Sequence, residues 1–312
     1  MTKRKFKLSI LLTATLLAGI FTQSCGDKTS TDTVSASITR LDTALADNLI
    51  VDSIKNPMND YLTMMGLDGS DLKNAIETYR KTEAFKTFYS EVKKTFGSLD
   101  ETEKALGTVN HVMEQSFPEV SPQKFYGIVS PYRQQIILAD SATYIVLNHY
   151  LGQDNEIYEG MPAYMKVLKE KSRIPIDVAE ALLRNAYPYR PKAGATTLTR
   201  MIYEGAIAHA VTQAVPSIGI TEYNAWGKPE DDFAVKNETE LWRALIVNDL
   251  LYSTDPTVGE RLVADAPSSG VISGEVPAKI GRYIGYRIID SYLSNHKDAK
   301  LEQLLKPEFY NN

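Results

Sequence analysis

Apolar side chains recur every three or four residues along much of the chain from residue 38 onward, which is the spacing of one face of an α-helix. In the first part of this region the pattern is carried by Ile38, Leu41, Leu45, Leu49 and Ile50; Leu72, Ile76 and Tyr79; Phe85, Phe88, Tyr89, Val92 and Phe96; and Leu106, Val109, Val112 and Met113. The spacing predicts a series of amphipathic helices that ends before Pro118.

The pattern changes between about residues 124 and 151, where β-branched and aromatic residues form three short runs. The runs are Phe125–Val129, Gln135–Leu138 and Thr143–Leu147. Ser130-Pro131 and Asp140-Ser141 separate them at turn-like spacing. This arrangement predicts a small antiparallel meander of three strands.

Helical spacing returns after the meander. The predicted helices are Met161–Lys171, Pro175–Tyr187, Thr196–Val215, Glu238–Tyr252 and Pro277–His296. Asn237 with Glu240 three residues later predicts a reciprocal N-cap, and Pro277 fits the first turn of a helix. No linker rich in Gly, Ser or Pro divides residues 38–312. We therefore predict one α+β domain over residues 38–312 that is mostly helical, with a small three-stranded antiparallel sheet.

The amino terminus has the pattern of an export signal. Basic residues between Lys3 and Lys7 precede the apolar run Leu8–Phe21, which ends in small and polar residues. That run is about 14 residues long, whereas a membrane-spanning helix needs roughly 20. Residues 1–24 are therefore predicted to be a signal peptide.

The single cysteine follows this run directly. Thr22-Gln23-Ser24-Cys25-Gly26 resembles the lipobox of bacterial lipoproteins, in which the cysteine is acylated and becomes the first residue. The lipobox usually has Leu where Thr22 stands. The resemblance implies a lipid anchor of the palmitate type on Cys25, and residues 25–37 then form a polar tether. Asp27 followed by Lys28 does not match the acidic run that directs some lipoproteins to the cell surface, which favours the periplasmic face of an outer membrane.

Charge and cysteine content narrow the function classes further. The formal net charge is −5, but the first 24 residues hold four of the 34 basic residues and no acid. The rest of the chain carries 30 basic against 39 acidic residues, a net charge of −9, which makes nucleic acid an improbable partner. A lone cysteine excludes an intramolecular disulfide and a multi-cysteine zinc site.

Candidate chemistry is sparse. The four histidines lie more than ten residues apart, so no pair has the i, i+4 spacing of a helical zinc motif, and we predict no metal and no cofactor. The nucleophile elbow, the Walker A loop and the dinucleotide-binding glycine turn are absent. Glu180 and Glu204 stand among apolar neighbours on two predicted helices. Glu204 is either half exposed or paired with Arg200, four residues earlier.

From about Asp140 onward, the chain resembles the gliding motility lipoproteins of the GldB type. The likeness is carried by Tyr150-Leu151-Gly152-Gln153-Asp154, Tyr158–Tyr164, Met201–Gly205, Asn237-Glu238, Leu241-Trp242, Leu250–Asp255, Ala266-Pro267-Ser268, Gly281 and Tyr283-Ile284-Gly285. The resemblance implies an envelope lipoprotein that binds other envelope proteins.

That family is in turn similar in layout to predicted zinc proteases, in which an HExxH helix precedes a helix carrying Glu-Gly. Glu204-Gly205 fits the second helix of this zincin-like layout. When Glu180 is aligned with the glutamate of the HExxH motif, Ala179 and Leu183 take the positions of the two histidines. Neither side chain can bind zinc. The mapping implies a protease-like scaffold without its metal.

The leading hypothesis is a non-enzymatic lipoprotein, anchored in the membrane through Cys25, that binds envelope proteins. The alternative is a hydrolase that uses Glu180 or Glu204 as a general base in a cleft. A third reading, a binder of glycans or other ligands through some of the 18 tyrosines, also remains open.

Overall fold

The structure is a computed structural model that describes residues 35–67 and 71–312. The predicted signal peptide, Cys25 and most of the predicted tether lie outside the described residues.

Helices make up most of the described chain. Their bounds are α1 Leu41–Ala46, α2 Lys55–Met64, α3 Leu72–Arg80, α4 Glu83–Thr95, α5 Asp100–Ser116, α6 Ala163–Lys166, α7 Ile174–Ala186, α8 Thr197–Ala214, α9 Ile220–Tyr223, α10 Lys228–Lys236, α11 Glu238–Val247, α12 Pro256–Val263, α13 Ile280–Asn295, α14 Leu301–Leu304 and α15 Pro307–Tyr310. Short 3₁₀ turns occur at Asp52–Ile54, Leu147–His149, Glu156–Tyr158, Val167–Lys169 and Lys171–Arg173. The prediction of an α+β fold that is mostly helical is confirmed.

The strands of the described residues form one four-stranded sheet with the order β1-β2-β4-β3. The strands are β1 Ile38–Arg40, β2 Lys124–Ile128, β3 Ile136–Ala139 and β4 Ala142–Val146. β3 and β4 form an antiparallel hairpin, but β2 pairs in parallel with both β1 and β4. The predicted three-stranded antiparallel meander is therefore wrong, because β3 passes to the outside of β4 instead of pairing with β2.

The first predicted helix begins too early. Ile38 lies in β1, opposite Phe125 of β2, and only from Leu41 does the chain become helical. Ile38, Leu41 and Leu45 are all buried. Their spacing fits a helix, but the pairing partner of Ile38 lies 87 residues away in sequence, so local periodicity could not reveal the strand.

Four details of the predicted helices also need correction. Asn237 does not cap α11, because its side-chain amide donates to the carbonyl of Phe233 instead. The last long helix begins at Ile280 and not at Pro277. The residue before it, Lys279, has a left-handed backbone, which breaks the helical path there. α11 ends at Val247 and not at Tyr252, since Asp249 is also left-handed. The predicted helix over residues 161–171 is broken into α6 and 3₁₀ turns.

Helices α8 and α13 cross at the centre of the helical part. Gly205 of α8 and Gly285 of α13 meet backbone to backbone: a Cβ built on Gly285 would lie 1.8 Å from the carbonyl oxygen of Met201. Gly281, one turn earlier on α13, packs against Leu262 of α12, where an added Cβ would lie 3.0 Å from the Leu262 carbonyl oxygen. Residues of both helices take part in two buried apolar clusters, one shared with the sheet, α1–α5 and α7, and one shared with α10–α12.

Burial explains the composition of α8. Apolar and small residues occur on all faces of this helix, and more than half of its residues are buried. This composition is typical of a helix that other elements enclose. A charged residue in its middle must therefore be paired inside the protein. Among the described residues, no helix combines the length and the apolar character that crossing a membrane requires.

Candidate functional site

Glu204 is the charged residue in the middle of α8, and it is fully buried. Arg184 of α7 binds both of its carboxylate oxygens, with Nη1 3.1 Å from Oε1 and Nη2 2.6 Å from Oε2. Arg200, one turn earlier on α8, places Nη2 3.1 Å from Oε1. Arg282 of α13 places Nε 3.7 Å from Oε2. Three guanidinium groups thus surround a single carboxylate.

Three helices bring these groups together, each for a local reason. Thr196 caps α8 through its side chain, which fixes the start of the helix that carries Arg200 and Glu204. The glycine contact between α8 and α13 lets the backbones approach, and Arg282 lies one turn before Gly285. α7, which packs against α8 and against β3 and β4, supplies Arg184.

Glu180 extends this group on α7. Its Oε1 accepts hydrogen bonds from Arg184 Nε at 2.8 Å and from the Tyr223 hydroxyl at 3.0 Å. Arg184 therefore bridges the two carboxylates that the sequence singled out. We call Glu180, Arg184, Arg200, Glu204 and Arg282 the ion cluster.

The arginines control the protonation of both carboxylates. Burial on its own would raise the pKa of Glu180, but Arg184, with Arg282 and Arg173, lowers it to about 2. Burial also acts on Glu204, and Arg184, Arg282 and Arg200 again hold its pKa below the ordinary value. Both groups are therefore ionised at neutral pH, and their charges are neutralised by fixed guanidinium groups.

A second charged pair lies beside the ion cluster. Arg173 donates through Nη2 to Asp177 Oδ1 at 2.9 Å and through Nη1 to the carbonyls of Glu222 and Tyr223. The Tyr150 hydroxyl donates to Asp177 Oδ2 at 3.0 Å. Burial raises the pKa of Asp177, and the nearby Arg173 offsets this only in part.

Aromatic rings enclose the outer faces of the guanidinium groups. Arg200 lies over the ring of Tyr189 at 4.8 Å, and Arg184 and Arg282 lie over Tyr203 and Tyr223 at 5.8 and 5.7 Å. Such contacts stabilise a cation that has lost part of its water shell.

The structure answers several questions about the predicted site residues. The pairing of Glu204 with Arg200 is confirmed, but Glu204 is fully buried and not half exposed. Arg184 was not singled out from the sequence, although its position four residues after Glu180 is an ion-pair spacing. Nothing local marks Arg282, which reaches Glu204 only through the packing of α13 on α8.

The histidines do not assemble around this site. His209 stacks on Tyr286 and contacts its carbonyl at 3.2 Å, and His296 stacks on Tyr292. His149 contacts the carbonyl of Tyr132 at 2.8 Å, and burial lowers its pKa to about 4. His111 is exposed.

The positions that the zinc-protease layout assigns to histidine carry no donor atoms. Ala179 and Leu183 are both fully buried apolar residues of α7, next to the ion cluster. Within residues 35–67 and 71–312, no three His, Cys, Asp or Glu side chains are grouped so that they could hold a metal ion. The zincin-like layout itself stays a prediction.

A comparison with protein families gives one match that covers nearly the whole chain. A family model described as gliding motility protein GldB matches residues 23–311. The match includes all of the helices and strands described above. No curated protein and no solved structure matches the chain.

Proposed function

The chain belongs to the gliding motility protein GldB family, which is a family of lipoproteins. On this basis we propose that the protein is a membrane-anchored scaffold. It binds other envelope proteins and is not an enzyme. The observation that carries the non-enzymatic part is the state of Glu180 and Glu204. A general base works best with a pKa near the working pH, whereas Glu180 has a pKa of about 2. Glu204 is fully buried and bound by Arg184, so it has no path to a substrate.

The anchor is proposed to be an acylated Cys25. Ile38 lies 13 residues after Cys25, and this stretch spans at most about 45 Å when fully extended. A domain over residues 38–312 would therefore stay close to the membrane that holds it. Partners of such a domain are membrane proteins or proteins held near the same surface, and we place the chain on the periplasmic face of the outer membrane.

Partner binding is supported by exposed apolar residues around α10 and α11. Val235, Ile246, Val247 and Tyr252 are all large, apolar or aromatic, and more than half exposed. Together they fall within residues 235–252. Exposed apolar side chains concentrated in one part of a soluble surface are typical of protein interfaces.

The test is affinity capture of the tagged full-length chain from envelope fractions, with quantitative mass spectrometry of the bound proteins. Cys25→Ala should move the chain out of the membrane fraction and remove partners that require co-localisation. Val247→Asp should reduce recovery of the main partner at least about tenfold, since a central apolar contact is often worth more than 1.4 kcal/mol.

Leu49→Asp is the matched control, because Leu49 is an equally exposed aliphatic residue outside residues 235–252. It should leave partner recovery unchanged. A scaffold role is refuted if no protein is enriched over a tag-only control, and the proposed surface is refuted if Val247→Asp and Leu49→Asp give the same recovery.

A further inference from the structure

A cleft of about 600 Å³ opens between α6, the start of α10 and the segment that joins α12 to α13. Its volume lies within the range of roughly 300 to 1,000 Å³ that is typical of ligand-binding sites. Most of its surface is apolar, and the largest side chains of its walls are those of Tyr164, Val167, Trp226, Phe233 and Val276. The three aromatic residues are only partly buried, so each keeps surface that a ligand can touch.

Hydrogen bonds between the walls hold the cleft in shape. Trp226 Nε1 donates to the carbonyl of Ala278 at 3.0 Å, and Lys279 Nζ donates to the carbonyl of Asn224 at 2.7 Å. Both bonds join the segment before α10 to the segment before α13. The walls are therefore fixed relative to each other before anything binds, which lowers the cost of binding.

Three carboxylates also line the cleft, and all three keep contact with solvent. Glu275 is exposed, Glu230 is partly exposed, and the Asp265 side chain is 43% exposed. Asp265 pairs with Lys279 at 2.6 Å. Among the described residues, no Lys, Arg or His nitrogen lies within 4.0 Å of a carboxylate oxygen of Glu230 or Glu275. Both of these carboxylates are therefore available to a cation from outside.

The charge of the cleft is negative when every charged residue of its segments is counted. Residues 163–167, 224–233 and 265–279 form the walls. They contain three cations and five carboxylates, a net charge of −2. The cations are Lys166, Lys228 and Lys279, and the carboxylates are Glu230, Asp231, Asp232, Asp265 and Glu275.

Neighbouring charges do not cancel this excess. The ion cluster is neutral once Glu260, which binds Arg200, is included with it, and Arg173 is paired with Asp177. Arg261 of α12 lies near Gly270 and still leaves the balance negative. The cleft thus favours a ligand with a positive charge.

Apolar walls together with free carboxylates suit a ligand that has an apolar stem and a cationic end. Lysine and arginine side chains have this form, because they lay their methylene groups along apolar surface and keep the charged group in a polar setting. Aromatic rings such as that of Trp226 also attract an ammonium or guanidinium group. α10 supplies Phe233 to the cleft and Val235 to the surface at residues 235–252. A protein bound at that surface can therefore reach the cleft.

From these observations we propose that the cleft binds a basic side chain, arginine or lysine, of a partner polypeptide. The stem lies against the aromatic walls, and Glu230 and Glu275 neutralise the charge. The site adds the chemistry of the bound group to the scaffold role, and it rests on that role only for the partner being a protein.

Tryptophan fluorescence tests the site directly. The chain has two tryptophans, Trp226 and Trp242, so Trp242→Phe leaves the tryptophan of the cleft as the reporter. This variant of the full-length chain, in neutral detergent, should change its emission saturably with a capped pentapeptide that has arginine at its centre, leucine on both sides and glycine at both ends. Replacing the arginine by neutral citrulline should weaken binding at least about tenfold, as expected for the loss of a charge-assisted contact.

Two carboxylate variants test the assigned groups. Glu275→Gln should weaken binding of the arginine peptide at least about threefold, and adding Glu230→Gln should bring the loss to about tenfold or more. Glu308→Gln is the matched control, because Glu308 is exposed and lies outside the cleft. It makes the same change in net charge and should leave binding unchanged. If Trp242→Phe does not fold, isothermal titration of the chain with both tryptophans gives the same comparison.

Several outcomes would overturn the proposal. They are the absence of saturable binding of the arginine peptide, equal binding of the citrulline peptide, and equal losses in Glu275→Gln and Glu308→Gln. Tighter binding of putrescine than of the arginine peptide would assign the cleft to a free amine and would also overturn it.

Failure of this site and failure of the scaffold role are distinguishable. If the arginine peptide binds but affinity capture enriches no envelope protein, the cleft is supported and the scaffold role is refuted. If partners are enriched but the peptide does not bind, the scaffold role is supported and the cleft proposal is refuted.

Discussion

The contact between Gly205 and Gly285 gives the sharpest structural prediction. A Cβ added to Gly285 would lie 1.8 Å from the carbonyl oxygen and 2.7 Å from the carbonyl carbon of Met201. A Cβ added to Gly205 would lie 2.1 Å from the carbonyl carbon of Gly285. In both cases the obstacle is backbone of the facing helix, which cannot rotate away as a side chain could.

The size of the effect follows from the distances. Ordinary contact of a carbon with a carbonyl oxygen requires roughly 3.3 Å, so Gly285→Ala must push α8 and α13 apart by about 1.5 Å. Overpacking of a core usually costs about 1–3 kcal/mol. Because two backbones must separate and the apolar clusters on both sides loosen, we expect Gly285→Ala to reduce the free energy of unfolding by about 3 kcal/mol or more.

Gly259 is the matched control. It also lies inside a helix, but a Cβ there would be 3.4 Å from the Cβ of Arg200, an ordinary contact. A helical Gly→Ala change without a clash gains up to about 1 kcal/mol from helix propensity. Gly285→Ala and Gly259→Ala are therefore expected to change stability in opposite directions.

The assay is urea unfolding of the full-length chain in detergent, followed by circular dichroism at 222 nm, with equal m-values required for the comparison. The reasoning is refuted if Gly285→Ala and Gly259→Ala agree within about 0.5 kcal/mol. That result would mean that α8 and α13 do not touch through their backbones.

Three further predictions concern the charged groups and one turn. Arg184→Met should cost about 3–5 kcal/mol in urea unfolding, because it removes the guanidinium that hydrogen-bonds to both Glu180 and Glu204, and the double variant with Glu204→Met should lose less than the sum of the two single losses; purely additive losses would contradict the pairing. The pKa of Glu180 is about 2 against an ordinary 4.5, so its ionised form contributes about 3 kcal/mol of stability above pH 4.5 that is lost as the pH falls toward 2. Glu180→Gln should therefore flatten the acid limb of the stability curve, and an unchanged slope would argue against the low pKa. Asp249 is exposed and has a left-handed backbone just after α11, so Asp249→Gly should raise the free energy of unfolding by up to about 1 kcal/mol, as measured by thermal unfolding. A decrease in stability would contradict the left-handed turn.

Local patterns were sufficient for features that depend on neighbours in sequence. The spacing of apolar residues predicted α7 and α8 to within about two residues, and the three runs after residue 124 predicted β2, β3 and β4. The Arg200–Glu204 pair could be predicted because both residues lie on one helix, one turn apart.

Features that depend on distant residues could not be predicted in this way. The strand β1 is only three residues long, and its pattern of burial is compatible with a helix until β2 is placed beside it. The order of the sheet depends on whether β3 or β4 lies beside β2. The runs of apolar residues are the same in both arrangements. Arg282 joins the ion cluster because a glycine contact sets the distance between α8 and α13.

The position of β1 has a mechanical consequence. A chain held at Cys25 and loaded by a partner elsewhere transmits the pull first to β1, which is an edge strand, and to Glu103, which binds the backbone amides of Ala36 and Ile38. These few bonds would break before the load reached β2 and the buried clusters. Release of residues 35–40 would lengthen the proposed tether by about 20 Å and leave the α8–α13 crossing intact, so the first strand would act as a short extension reserve under tension.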